Sequence, residues 1–263
     1  MKRLEKYLKN RVKAIHLLIE KPRKLYHPET FHNLRVEIKK LNALCELINY
    51  CSGDFKRNKT FRLFKQIFKQ AGKVRELQVE EKMLENYISK NLLIDYSASL
   101  KKLRLKEQGN YFTLINKDLS KKLREKYKKI TPFLKEVTKK KANTYLDKKA
   151  IKIEKLLNQD KLLEPQAHEL RQLLKTFNYN EKILNFVNKN KMPQTRVLLP
   201  ELLGKWNDCQ VTISNLEKAM ISGVVNPNEA SELLKIKEKI YSNSSNLFYL
   251  INATISKGKD LID

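Results

Sequence analysis

A basic motif that occurs twice constrains the fold of this chain more than any other feature. The pattern is His-x-x-Arg-x-x-x-Lys, and its two copies consist of His32, Arg35 and Lys39, and of His168, Arg171 and Lys175. A glycine-containing segment follows each copy, reading AGKVRELQV from Ala71 and LGKWNDCQV from Leu203. Because the two pairs of segments occur in the same order, the sequence predicts an internal duplication.

Each copy of the motif is predicted to form one charged strip along a helix. Residues at i, i+3 and i+7 lie within about 60° of one another around a helix axis. A separate apolar stripe, repeated in the same phase by both copies, comprises Leu34, Ile38, Leu41, Cys45 and Ile48, and then Leu170, Leu174 and Phe177. Each helix therefore packs one side and presents on another three donor-rich side chains, which suit several anionic oxygens in a row.

The remainder of the chain also follows a helical pattern. Glycine occurs 6 times and proline 7 times, and the long segments between them have a 3.6-residue apolar period without runs of period two. The predicted helices lie near residues 2–20, 28–51, 55–90, 93–127, 131–158, 165–189, 193–222 and 227–258. The sequence therefore predicts an all-α protein.

The eight predicted helices divide evenly at a junction near residue 130. We expect a single domain, 1–263, made of an N-terminal four-helix half, 1–130, and a C-terminal four-helix half, 131–263. The duplication favours two four-helix bundles related by a pseudo-two-fold axis. If both charged strips face that axis, their charges converge in one basic central cavity or groove.

The charge of the chain indicates a polyanionic partner. The 55 Lys and Arg residues outnumber the 29 Asp and Glu residues, which gives a formal net charge of +26. Such an excess attracts nucleic acid, anionic membrane or another phosphate polymer. A second interpretation assigns most of this charge to solvated lysine-rich helix faces, such as those at 121–129 and 135–149. That interpretation does not explain the duplicated strips.

The sequence favours a cytoplasmic location. The N-terminal residues MKRLEKYLKN are not followed by an apolar run, and no stretch reaches the ~18 uncharged apolar residues of a membrane span. No contact with membrane is therefore expected. The three cysteines, Cys45, Cys51 and Cys209, lack CxxC spacing. They indicate packing roles in a reducing compartment.

Catalysis, a cofactor and a metal site are not predicted. The chain has no P-loop, no nucleophile elbow and no His/Asp/Glu cluster with ligand spacing. A nucleic-acid-binding helical module is the main alternative function, and a helical scaffold for an acidic protein partner is another. The recurrence of Phe61, Phe64 and Phe68 at spacings of three and four indicates a core rather than a base-stacking platform. Trp206 is expected to pack between bundles.

The order HxxRxxxKK, GxxR[DE]xxV, HxxRxxxK and LGxxNDxxV resembles the CHAD domain, the conserved histidine α-helical domain, over nearly the whole chain. The resemblance implies two four-helix bundles around a basic cavity and the binding of inorganic polyphosphate, here by a standalone, non-catalytic member. Polyphosphate granules in the cytoplasm are one place where such a binding protein could act.

The resemblance further implies which residues contact polyphosphate. The expected contacts are His32, Arg35, Lys39, Lys40, Arg75, His168, Arg171 and Lys175. Second-rank candidates are Arg62, Lys65, Lys69, Lys73, Arg196 and Asn207. The acidic residues Glu76 and Asp208 are expected to orient a basic side chain or to cap backbone donors. Asn42 and Asn178 stand at positions that are often basic in the family.

Two physical expectations follow from a polyphosphate ligand. Salt should weaken binding steeply, because counterion release drives association with a dense polyanion. Affinity should increase as the pH falls from 8 to 6, because a nearby polyanion favours protonated histidine.

Overall fold

The computed structural model describes residues 2–87, 93–184, 195–223 and 225–259, without the side chains of 117, 195–197 and 257–259. Within these ranges the chain forms helices and no strand, so the predicted all-α class is confirmed. The α-helices are α1 (Lys2–Ile19), α2 (Pro28–Cys51), α3 (Arg57–Glu85), α4 (Ile94–Leu114), α5 (Lys117–Ile130), α6 (Lys139–Leu157), α7 (Glu164–Leu184), α8 (Thr195–Ile221) and α9 (Pro227–Lys259). Two 3-10 helices span Arg23–Leu25 and Thr131–Glu136.

Two of the predicted helices are interrupted in the structure. The helix predicted at 93–127 is wrong, because it is two helices, α4 and α5. The side chain of Asn116 caps α5 by accepting a hydrogen bond from the Leu119 amide at 2.9 Å, which satisfies an N–H group at the new helix start. The helix predicted at 131–158 begins only at Lys139, after a 3-10 helix that contains Pro132. The predicted ends at 90 and 189 and the predicted start at 193 lie outside the described residues.

The chain forms two compact units, each assembled from separate segments. Unit 1 comprises Met1–Lys73, Gln108–Glu154 and Gln172–Lys189, and unit 2 comprises Val74–Glu107, Lys155–Arg171 and Asn190–Asp263. Each unit therefore takes residues from both sequence halves. The division into four-helix halves at residue 130 stays a prediction.

The core of unit 1 is built around α2. The residues of its predicted apolar stripe, Leu34, Ile38, Leu41, Cys45 and Ile48, are all at most 1% exposed. Glu37, on another side of α2, forms an ion pair with Arg11 of α1. The apolar period of the sequence therefore identifies the buried face of α2 correctly.

The core of unit 2 joins four helices. Its buried cluster includes Leu77 and Leu84 of α3, Leu100 of α4, Leu216 of α8 and Ile236 of α9. The carboxylate of Glu229, at the start of α9, accepts hydrogen bonds from the backbone amides of Asp95 and Tyr96, each at 2.8 Å. An acceptor at the N-terminus of α4 satisfies amides that have no partner within the helix.

All three cysteines are buried and form no disulfide, in agreement with the predicted packing roles. None of the helices in the described ranges is long and apolar enough to cross a membrane.

Candidate polyanion-binding site

The first charged strip lies on α2 in unit 1. His32 is exposed, whereas Arg35 and Lys39 are partly buried. The predicted separation of charged strip and apolar stripe is therefore present on this helix, because Leu34 and Ile38 are buried beside the strip.

Arg35 reaches from α2 to α3. Its Nη1 donates a hydrogen bond to the backbone carbonyl of Phe68 at 2.8 Å, and its guanidinium carbon lies 4.1 Å from the centroid of the Phe68 ring. The Nζ of Lys39 lies 5.6 Å from the centroid of the same ring. Two cations of the strip therefore contact one aromatic ring, and the negative charge density on ring faces stabilises nearby cations.

Gly72 explains why the glycine segment accompanies the motif in the first copy. A Cβ atom added at Gly72 would collide with the Nη1 of Arg35. The absence of a side chain lets the guanidinium lie directly against α3. The two matched segments of the first copy thus meet in one cluster within unit 1.

Four second-rank candidates lie along the adjoining face of α3. Arg62, Lys65, Lys69 and Lys73 are all exposed and recur at spacings of three and four. Lys65 precedes Phe68 by three positions and Lys69 precedes Gly72 by three, so these lysines lie on the side of α3 that receives Arg35. Unit 1 therefore brings the α2 strip next to a second row of cations.

Lys40 lies apart from this cluster. Its Nζ contacts the Oε1 of Glu37 at 2.7 Å, and Glu37 also pairs with Arg11 of α1. The charge of Lys40 is therefore balanced on another side of α2. Lys175, the last residue of the second motif copy, belongs to unit 1 and is partly buried.

Arg57 is a cation that the sequence interpretation missed. Its Nη2 donates to the Oδ1 of Asn42 at 2.8 Å and lies 2.9 Å from the Oε1 of Glu46. A guanidinium from α3 thus stands beside a position of α2 that is often basic in the resembling family. No local signal identifies Arg57, because only packing brings it to Asn42.

Phe68 is the second residue that was missed. Its spacing from Phe64 led to a prediction of core packing, and Phe64 is indeed 0% exposed. Phe68 is only partly buried, and its ring receives Arg35 and Lys39. The proximity of an aromatic residue to a glycine one turn further along α3 was the available signal.

The second copy of the motif lies on α7. In unit 2, the ring of exposed His168 lies 4.6 Å from the ring of Trp206, which in turn lies 5.4 Å from Phe248. Trp206 is 0% exposed and makes these contacts within unit 2, and its expected packing between bundles stays a prediction. Gly204 has no atom within 4 Å of an added Cβ.

The other predicted residues of unit 2 differ in exposure. Arg75, Arg171, Asn207 and Asp208 are partly buried, and Glu76 is exposed. The expected role of Glu76 and Asp208, which is to orient a basic side chain or to cap backbone donors, stays a prediction. The side chain of Arg196 lies outside the described residues.

A buried carboxylate also lies in unit 2. Glu80 is 1% exposed, and it accepts hydrogen bonds from the Tyr96 hydroxyl at 2.6 Å and from the Nδ2 of Asn215 at 2.9 Å. Burial raises the pKa of Glu80 above its ordinary value, although both hydrogen bonds act in the opposite direction. These two hydrogen bonds connect α3 to α4 and to α8.

The described residues contain no group of three or more His, Cys, Asp or Glu side chains that could hold a metal ion. The motif residues place cationic side chains against an aromatic ring and against the surface of a neighbouring helix. Such groups can bind an anion through charge and N–H donors.

Comparisons with known proteins give the class to which this chain belongs. The family model described as the CHAD domain matches residues 6–217. The crystal structure of the CHAD domain from the plant Ricinus communis has a similar fold, with a TM-score of 0.72 and 16% sequence identity over 95% of this chain and 89% of that chain. No curated protein matches the sequence. Because the family match spans most of the chain, the protein belongs to the CHAD domain family.

Proposed function

We propose that this protein binds inorganic polyphosphate through its His/Arg/Lys strips and does not catalyse a reaction on it. The observation that carries the proposal is the cluster in unit 1. Arg35 and Lys39 lie against Phe68, beside the exposed lysines Lys65 and Lys69. The cluster offers many N–H donors on two adjoining helix faces.

The chemistry of polyphosphate fits such a surface. The polymer carries about one negative charge per phosphate and has no bases, so its recognition depends on charge and oxygen geometry. Arg35 supplies a planar fork that can bond two phosphate oxygens, whereas Lys39, Lys65 and Lys69 supply compact charges. The net charge of +26 draws the polymer to the protein over longer distances.

The absence of catalysis is part of the proposal. Phosphoryl transfer normally requires acidic residues that hold Mg²⁺ beside the phosphates. Each glycine segment contributes one acidic residue at a matched position, Glu76 and Asp208, and two carboxylates are too few to make hydrolysis the leading interpretation. We further propose that the protein acts in the cytoplasm, including at polyphosphate granules.

The test is polyphosphate binding by calorimetry near physiological salt. We compare wild type with Arg35→Ala, with Arg171→Ala and with the double variant. A control, Lys122→Ala/Lys128→Ala, removes the same charge from exposed positions of α5. Loss of two charged hydrogen-bonding groups should weaken binding about a hundredfold or more, whereas the control should change it only severalfold.

Three results would contradict the proposal. An equal loss in the control and in the double variant would mean that binding depends on net charge alone. Preference for DNA or RNA over short polyphosphate, at equal charge concentration, would favour the nucleic-acid alternative. Weak binding of every polyanion would favour an acidic protein partner instead.

A further inference from the structure

Arg35 lies against two residues of α3 that are not among the predicted polyphosphate contacts. We infer that Phe68 and Gly72 form a seat on α3 that positions the Arg35 guanidinium for anion binding. The inference rests on the proposed function, because it assigns two positioning residues to the same strip. Neither Phe68 nor Gly72 was a candidate in the sequence.

Three features of the seat fix the position of the Arg35 guanidinium. The Phe68 carbonyl accepts from Nη1 at 2.8 Å, which accounts for one of the five N–H donors of an arginine. The Phe68 ring, 4.1 Å from the guanidinium carbon, limits the position of the group on one side. The bare backbone at Gly72 allows Nη1 to approach α3 more closely than any side chain would permit.

Gly72 is not required by the backbone. It lies within α3, far from either helix end, and its φ is not positive. A glycine inside a helix is less favourable than alanine. The atoms that an added Cβ would meet belong to the end of the Arg35 side chain, which can move aside. Alanine should therefore fold normally at 72 and should displace only the guanidinium.

A positioned guanidinium should bind an anion more tightly than a mobile one. A free arginine side chain loses rotamer freedom when it binds, and a side chain that is already held loses less. Displacement of Arg35 should therefore cost about tenfold in polyphosphate affinity, which is part of the full effect of Arg35→Ala.

Gly72→Ala is the main test, and the chain offers a matched control. Gly204→Ala makes the same change in the second glycine segment, where an added Cβ meets no atom within 4 Å. By calorimetry with short polyphosphate, Gly72→Ala should bind about tenfold more weakly than wild type, and Gly204→Ala should bind as wild type does. Phe68→Leu, which removes the ring but keeps the carbonyl, should give an intermediate loss.

A double-mutant cycle shows whether Gly72 acts through Arg35. In an Arg35→Ala background, Gly72→Ala should cause no further loss, because the group that it displaces is already absent. An equal loss in both backgrounds would overturn the seat. The seat would also be overturned if Gly72→Ala bound polyphosphate as tightly as wild type while Arg35→Ala bound it more weakly. The proposed function would still stand in that case.

The seat can also be measured without any ligand. The Phe68 ring should shift the NMR resonance of the Arg35 Nε–H through its ring current, and Gly72→Ala should move that resonance toward its ordinary position. An unchanged resonance in Gly72→Ala would overturn the seat. If the resonance moves as expected but Arg35→Ala binds polyphosphate as wild type does, the proposed function fails at this strip and the positioning role in binding fails with it.

Discussion

The two copies of the motif share their spacing, but the surroundings of their glycines differ. In the first copy, Arg35 lies against Gly72 and Phe68 on α3. In the second copy, Gly204 has open space around it, and His168 packs against Trp206. In the first copy the ring of Phe68 contacts the arginine, and in the second copy the ring of Trp206 contacts the histidine.

The glycine segments explain this difference when they are aligned on Gly72 and Gly204. The position of Phe68 is occupied in the second copy by Pro200, which has no aromatic ring to offer a cation. The position of Trp206 is occupied in the first copy by Val74, which is buried. A repeated motif therefore predicts which face of its helix carries the charged side chains. The residue that each side chain contacts depends on positions outside the motif.

Truncation of the two aromatic residues should separate their roles most clearly. Trp206 is 0% exposed, so Trp206→Ala should lower the free energy of unfolding by about 3–5 kcal/mol. Phe68 is only partly buried, and Phe68→Ala should cost about 1–2 kcal/mol. Chemical denaturation of both variants measures these values. Equal losses would mean that Phe68 is a core residue and would remove the contrast between the copies.

The two glycines should respond differently to alanine in stability as well. Gly204→Ala should raise the free energy of unfolding by about 0.5–1 kcal/mol, because alanine favours helix and no atom opposes its Cβ. Gly72→Ala gains the same helix propensity but loses the contact of Arg35 with Phe68. Its free energy of unfolding should therefore be lower than that of Gly204→Ala by about 1 kcal/mol. Denaturant midpoints measured side by side decide this; identical midpoints would contradict a stabilising Arg35 contact.

The buried position that directly follows each glycine segment gives the smallest expected effect on stability. Glu80 aligns with Thr212; both are buried, but only Glu80 can ionise. Burial raises the folded pKa of Glu80, so in the folded state it keeps a proton that the unfolded state loses above its ordinary pKa of 4.5. This contribution to stability is complete below pH 4.5 and is lost as the pH rises through the folded pKa.

Glu80→Gln should remove this pH dependence. The advantage of wild type over Glu80→Gln should therefore be larger at pH 4 than at pH 7, when both are unfolded by denaturant. Tyr96 and Asn215 donate to the carboxylate and offset part of the cost of burial, which keeps the effect small. A difference between the two proteins that does not change with pH would show that Glu80 has the same pKa in both states.

Much of the local structure could be predicted from the sequence. The buried stripe of α2 and the helix starts at Pro28 and Pro227 follow from apolar period and proline position. The break between α4 and α5 was missed, because the apolar period continues past Asn116. The cap that Asn116 provides competes with helix continuation, and a period count does not include that competition.

The amino-acid sequence by itself determined the helical class, the charged strip on α2 and the family, because helix geometry fixes which residues share a face within a few turns. Only the tertiary structure decided the partner of each charge. Arg35 reaches Phe68, 33 positions away, and Lys40 turns instead to Glu37. Long basic side chains have many rotamers, so the packing of neighbouring helices selects where each one ends.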